Sequence, residues 1–540
     1  MQHATDIRWM VTGIIILLAG LSTGSNYAQE AGTIDSTFGT NGVVYCTTNF
    51  APFNDTYCAF DDQENIISVS NFNDNSGFLL MRHTIDGLID SSFGLQGSTA
   101  YCSPVNCGVN CMKLDGNNRI LVGGYIKHIP DTLPLNYYDF CITRFLPNGN
   151  LDSSFGLHGQ TAIDLGETEM VNDLALQNDS LILISGNSGF NAFGYGNTDV
   201  VLIRLQENGT PDSSFGTNSV VITDLIHRGF DQDYGSSLLV QPDGKILQIA
   251  LNGPGINVVG QMCLLRYQHN GMMDSTFAKH GKFIESHSNS YNAHGNYIGL
   301  KTDGTIVVAC NDGDVFGGGY FYTIRQLTPS GFADSSFADN GIIESMHGYA
   351  GPGIYAMQLQ PDNKIVAFTR EYDMSTQEYF TTLTRFTAQG FPDPGFGSMG
   401  RTLVDVNCLY ANTLYDICMK PADKITLLAL TGDFPGKELI FIARYNNDNT
   451  SDIHNEASVY PEEWFVYPNP SSGFLIIAWY GKVKNVDVTI TGITGKIMYR
   501  SSALYSAEMI LNISDFPDGL YMVQLSAGDF IQTKKILVEN

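Results

Sequence analysis

GTIDSTFGTNG, residues 32–42, decides the fold because it comes back six times. The copies are GLIDSSFGLQG (87–97), GNLDSSFGLHG (149–159), GTPDSSFGTNS (209–219), GMMDSTFAKHG (271–281), GFADSSFADNG (331–341) and GFPDPGFGSMG (390–400). Their aspartates, Asp35, Asp90, Asp152, Asp212, Asp274, Asp334 and Asp393, lie 55, 62, 60, 62, 60 and 59 residues apart. Three residues after each comes a phenylalanine: Phe38, Phe93, Phe155, Phe215, Phe277, Phe337 and Phe396. A fixed period of this size is the mark of a repeat architecture.

Two further landmarks keep the same beat. A turn followed by an aliphatic run appears as DDQENII (61–67), LDGNNRIL (114–121), LQNDSLIL (176–183), QPDGKIL (241–247), KTDGTIV (301–307), QPDNKIV (360–366) and KPADKIT (420–426). An apolar run ends in arginine at Arg82, Arg144, Arg204, Arg266, Arg385 and Arg444. At the fifth of these seven places Arg325 comes one residue early, so Gln326 falls on the register.

Each unit thus holds four short strands. Its Asp/Gly turn suits a tight antiparallel hairpin, because those residues tolerate positive φ. Such a unit cannot bury both faces alone, whereas seven arranged radially can. A solenoid is the rival, but it calls for parallel rungs and capping repeats. The expected architecture is all-β, a seven-bladed β-propeller over residues 29–445 followed by a small C-terminal β-sandwich. The first strand, 43–46, has two possible places. It can complete the last blade and seal the ring, or it can stay within its own unit.

The DGxLDxSFGxxG segments and QPDGKI turns resemble the delta-60 repeat, a β-propeller family of uncharacterised function. The resemblance covers residues 32–445. Ser219, Ala278 and Ala338 depart from the glycine pattern, and Pro394-Gly395 replaces the serine pair in unit seven. The family brings no catalytic residues to transfer.

A polar linker, 446–460, leads to a second unit at 461–540. There FVYPNPSSGFLII (465–477), VDVTITGITGKIMYR (486–500), LNISDFPDGLYMVQL (511–525) and IQTKKILVEN (531–540) follow in order. Alternating apolar residues between turn dipeptides give an antiparallel sandwich. The unit closely resembles the C-terminal sorting domain of type IX secretion, found in Bacteroidetes. The matching residues are Tyr467, Pro468, Asn469, Pro470, Gly473, Gly495, Lys496, Gly519, Tyr521, Lys534 and Lys535. The resemblance implies the type IX machinery as a partner and the outer-membrane surface or the extracellular space as the destination.

The opposite end agrees. Arg8, the apolar run Met10–Leu21 and the small residues 22–28 read as a signal peptide, 1–28, leaving no transmembrane segment in the mature chain. The net charge of −27 repels phosphate backbones, so nucleic acid is a poor partner.

Ten cysteines in an exported chain permit disulfides. Spacings of 12, 9 and 10 suggest Cys46–Cys58, Cys102–Cys111 and Cys408–Cys418 within units. The first pair conflicts with a ring sealed by residues 43–46. Cys141 and Cys263 read as buried core thiols.

The repeated Asp, Phe and Arg read as scaffold, because every blade needs them. His280, His287 and His294, seven apart, read as solvated loop residues, with no metal site beside them. No G-x-S-x-G, H-E-x-x-H or calcium-loop motif occurs, and the repeats contain no tryptophan. No cofactor is called for. Recognition is expected in the irregular loops, with Tyr137, Tyr138, Phe190, Phe193, Tyr195, Phe316 and Tyr320 as candidate contacts for a glycan or protein ligand. The functional expectation is a non-catalytic binding, adhesion or scaffold protein. The alternative is an extracellular propeller hydrolase acting on glycans or other polymers, for which acids and histidines clustered at the mouth of the central channel would speak.

Overall fold

The computed structural model describes residues 31–46, 53–447 and 464–538. Left out of the description are 73, 104–105, 128–136, 190–197, 226–231, 254–260, 285–296, 315–318, 339, 346–352, 374–377, 405–413, 421–423, 434–436, 468–470, 472–473, 480–485, 504–507 and 528–529. The proposed signal peptide, residues 448–460 of the proposed linker, His287, His294, Phe190, Phe193, Tyr195, Phe316, the Tyr320 side chain and the Pro468–Pro470 and Gly473 positions therefore lie outside the described residues, whereas Asn446, the first linker residue, ends a strand.

The described residues contain strands and turns and no helix. Seven four-stranded antiparallel sheets lie between Val43 and Asn446. In the first, Phe53–Phe60 turns through Asp61–Asn65 into Ile66–Phe72, which pairs with Gly77–His83, and Ser98–Cys102 lies outermost. Asp61 builds that turn by accepting the Gln63 and Asn65 amides at 2.9 Å, a side chain standing in for backbone. The first strands of successive sheets are Cys107–Leu114, Glu169–Gln177, Gln232–Val240, Tyr297–Leu300, Gly353–Leu359 and Leu414–Lys420. Each packs against the next, and Leu414–Lys420 packs against Phe53–Phe60. The sheets thus close on themselves as a β-propeller.

The seam is made by the two ends of this region. Val43–Cys46 is the outermost strand of the sheet formed by Leu414–Lys420, Lys424–Asp433 and Lys437–Asn446, with Val43 opposite Ala443 and Cys46 opposite Ile440. The Gly32 amide donates to Asn446 O at 2.7 Å and the Asp35 amide to Arg444 O at 2.8 Å. Pairing the ends leaves no open edge at the join.

That seam corrects the disulfide expectations. Cys46, Cys102 and Cys111 are free thiols, while Cys58 is disulfide-bonded. Cys46 therefore does not pair with Cys58, since its strand belongs to the last sheet. Cys102 and Cys111 do not pair either; Cys102 sits exposed on the outer strand of one sheet and Cys111 is buried on the inner strand of the next. Cys408 and the Cys418 side chain lie outside the described residues. Cys141 and Cys263 are buried, and burial pushes both thiols up to about 12.

Residues 464–538 form two further sheets. One holds Trp464–Tyr467, Phe474–Trp479 and Glu508–Asn512; the other holds Ile497–Ala503, Val486–Gly492, Gly519–Ala527 and Phe530–Val538. Trp464, Leu475, Ile477, Val488, Ile490, Val523 and Val538 make a core drawn from this segment alone. Lys534 caps it by donating to Trp464 O and lying 5.3 Å from the indole ring, while the Tyr521 hydroxyl donates to Pro517 O at 2.7 Å.

Candidate functional site

The hairpins that join the first two strands of each sheet, such as Asp61–Asn65, lie with the DSSFG segments at one face of the disc. The other connections lie at the opposite face. The first face is occupied by structure. All seven motif phenylalanines are fully buried. The arginine of each unit stacks on that ring, with guanidinium carbons 4.4–5.0 Å from the centroids in six units. Its Nε donates to the motif aspartate at 2.7–2.9 Å. The same guanidinium reaches a carbonyl of the following unit: Pro147, Glu207, His269, Pro329, Asn447 and, across the seam, Ile85. One side chain therefore holds its own turn, covers its own phenylalanine and clasps the neighbouring blade.

The fifth sheet solves the same problem differently. Gln326 Nε2 bonds Asp334 at 2.8 Å, and Lys301 supplies the missing cation. Its ammonium lies 5.1 Å from the Phe337 ring, donates to Gln326 Oε1 and reaches Ala388 O of the next unit. Burial lowers the Lys301 pKa, partly offset by Asp303 and Asp334.

Asp35, Asp90, Asp152, Asp212, Asp274 and Asp334 are held below the usual carboxylate range. Burial would raise Asp35, but the Thr37 hydroxyl, Arg444 and Lys424 outweigh it and bring the carboxyl to about 2. In the second unit the Ser92 hydroxyl leads in lowering Asp90, aided by Arg82. A cleft of about 410 Å³ on this face is lined by Gln177, Asn178, Arg204, Asp243 and His269. Arg204 is there bonded to Asp212, Gln177, Ser214 and His269 O. That cleft is clamp, not free chemistry.

The opposite face carries two clusters of acid. Asp139 is the second residue of a third strand, Tyr138–Phe145, Asp164 follows an outer strand, and Glu169 opens the inner strand of the next sheet. One carboxylate oxygen from each lies within 4.8 Å of the other two. Asp199, Asp224 and Asp233 repeat the arrangement one blade on. Asp139 and Glu169 are buried and Asp164 is exposed; in the second triad Asp199 and Asp224 are half-buried and Asp233 is buried.

The Glu169 side chain is fully buried. Its Oε1 accepts the Glu167 amide and the Ser188 hydroxyl, both at 3.0 Å, while Oε2 is buried with no hydrogen-bond partner. Burial, with Asp164 and Asp139 adding to it, pushes this carboxyl up to about 7. In the second triad Asp233 Oδ2 accepts the Leu225 amide at 2.7 Å, which ties Asp233 to the backbone next to Asp224.

Of the expected loop aromatics, Tyr137 and Tyr138 are described in full, and both are half-buried directly before Asp139. Tyr138 packs edge-on against Tyr125, 5.0 Å between centroids. His280 is exposed on the clamp face, away from both triads. The triads themselves were missed in the sequence because each draws on three elements. The signal was present nonetheless: Asp139 and Asp199, and Asp164 and Asp224, each stand 60 apart, on the beat of the repeat.

Comparison with known proteins agrees with this architecture. Residues 465–539 match the model described as a secretion system C-terminal sorting domain, and residues 116–155 and 177–215 match a domain of unknown function described as a β-propeller. The chain is a β-propeller protein with a type IX secretion sorting tail. The sorting domain implies contact with the secretion machinery and export to the cell surface or beyond. No curated protein matches the chain.

Solved structures similar to this propeller protein include an ulvan lyase bound to a sugar fragment (10% identity, TM-score 0.38, covering 78% of this chain and 96% of that one). Others are an α-L-arabinofuranosidase from Fusarium graminearum (11%, 0.35, covering 62% and 91%) and an endo-arabinase from Bacteroides thetaiotaomicron (8%, 0.29, covering 57% and 99%). All three are named as glycan-active enzymes, against the expectation that the chain is not an enzyme. At such scores the likeness assigns no reaction and no residue.

Proposed function

We propose that this is an extracellular propeller enzyme that hydrolyses a glycan polymer on the face bearing the carboxyl triads. A signal peptide at 1–28 takes the chain to the periplasm, and the sorting domain takes it across the outer membrane. The reading is carried by one observation: three carboxyl groups, Asp199, Asp224 and Asp233, converge within 4.8 Å on the face the clamps leave free. Glycosidic hydrolysis asks for two carboxyl groups, one protonating the leaving oxygen and one attacking or activating water. Asp199 and Asp224 are half-buried, with Asp199 Oδ1 enclosed, and buried Asp233 lies beside them. Their closeness suits the retaining arrangement, about 5 Å, better than the roughly 6.5–9.5 Å that leaves room for an intervening water. Tyr137 and Tyr138 offer aromatic surface on the same face.

The test is incubation of the purified chain with a panel of plant, algal and microbial polysaccharides, reading new reducing ends. Activity on at least one polymer is expected, with Asp199→Asn and Asp224→Asn each losing about 10²–10⁴-fold, the range for a removed acid or base. Absence of product across the panel, or full activity in both variants, contradicts the reading.

A further inference from the structure

The first triad differs from the second in access. Asp139 and Glu169 are buried, so a polymer cannot reach them, yet Asp164 keeps one side open to solvent. We infer that Asp139, Asp164 and Glu169 form a calcium-binding site that ties the outer strand of one blade to the inner strand of the next.

Three observations point to a cation. First, three carboxylate oxygens lie within 4.8 Å of one another, a separation that ligands 2.3–2.6 Å from a shared calcium ion would span. Second, Glu169 is fully buried, its carboxyl turned into the cluster, and Oε2 has no hydrogen-bond partner. A buried acceptor in that state is costly and calls for a positive partner. Third, hydrogen bonds hold the cluster in place. Ser188 and the Glu167 amide fix Oε1, and the Gly166 amide, 2.7 Å from Asp164 Oδ1, fixes the short crossover.

The donor set selects the metal. All three groups are hard oxygen ligands, with no thiolate or imidazole among them, which disfavours zinc and copper and suits calcium. Magnesium demands a tighter octahedron and gives up its waters reluctantly. Water or backbone carbonyls would complete the shell through the open Asp164 side. Sites of this kind in extracellular modules bind in roughly the 10⁻⁴–10⁻³ M range.

The test needs no substrate, so it stands or falls apart from the proposed hydrolysis. The purified full-length chain is treated with chelator, then titrated with calcium or magnesium while thermal unfolding and binding heat are recorded. Calcium at millimolar concentration is expected to raise the midpoint by several degrees, as ligand linkage requires, with magnesium giving less than half that shift. Glu169→Gln, which keeps the shape of the side chain, should fold with an apo midpoint at or above that of wild type and lose the calcium-dependent rise. Asp164→Asn, at an exposed position, should weaken binding at least 10-fold. No calcium shift in the wild type, or an equal shift in both variants, overturns the inference. A shift that Asp199→Asn abolishes and Glu169→Gln leaves intact also overturns it, by moving the ion to the second triad.

Discussion

At the scale of single residues, one cation per blade does three jobs, and the blades can be ranked by how deeply it is buried. Arg385 is almost wholly enclosed, with Asp393 beside it. Breaking such a pair from one side leaves a buried charge, a loss of about 3–5 kcal/mol. Arg385→Met should therefore destabilise strongly. Lys301→Met should lose less, about 1–2 kcal/mol, because Gln326 still bonds a half-buried Asp334. Urea unfolding of the two variants checks the order; equal losses would argue against the clamp. The anionic aspartates set the acid limit. Asp35 has a folded pKa of about 2, below its unfolded value of about 3.9. Its contribution is therefore complete above about pH 4 and is lost as the pH falls towards 2. Asp35→Asn should be less stable at neutral pH and lose stability less steeply between pH 4 and 2, as thermal midpoints across that interval will show.

Among the elements, the strand Val43–Cys46 matters beyond its length, because it closes the ring. Removing residues 31–46 exposes the edge of Lys437–Asn446 and takes away Phe38 together with the Asp35 partner of Arg444. That deletion should lower the unfolding midpoint far more than removing 448–458, and comparable midpoints would refute the seam. How much of this was legible follows from how each feature is encoded. The blades were legible because the same Asp, Phe and turn residues return in each of seven copies. The strand after each DSSFG segment was legible as a strand, yet its sheet was not. Pairing across several hundred residues leaves no local trace, and the Cys46–Cys58 spacing pointed the wrong way. Lys301 could be found only by seeing that Gln326 leaves a phenylalanine without its cation. The acid triads were illegible locally, since the carboxyl groups meet through the crossing of two sheets. Only the 60-residue recurrence of Asp139 as Asp199, and Asp164 as Asp224, betrays them.

For the whole molecule, division of labour is the organising feature. One face of the propeller is spent on clamps, which frees the other to carry acids. The tail has a core of its own, built from Trp464, Leu475, Val488 and Val523, and its match to a sorting domain assigns it to delivery. The central claim is that the propeller is complete without its tail and that the tail is its address. Fractionation of a host possessing type IX secretion, expressing either the full chain or one ending at Thr450, tests this most directly. The full chain should reach the surface or medium, and the shortened chain should stay in the periplasm, folded and resistant to protease. A shortened chain that still reaches the surface, or one that is degraded as unfolded protein, would contradict it.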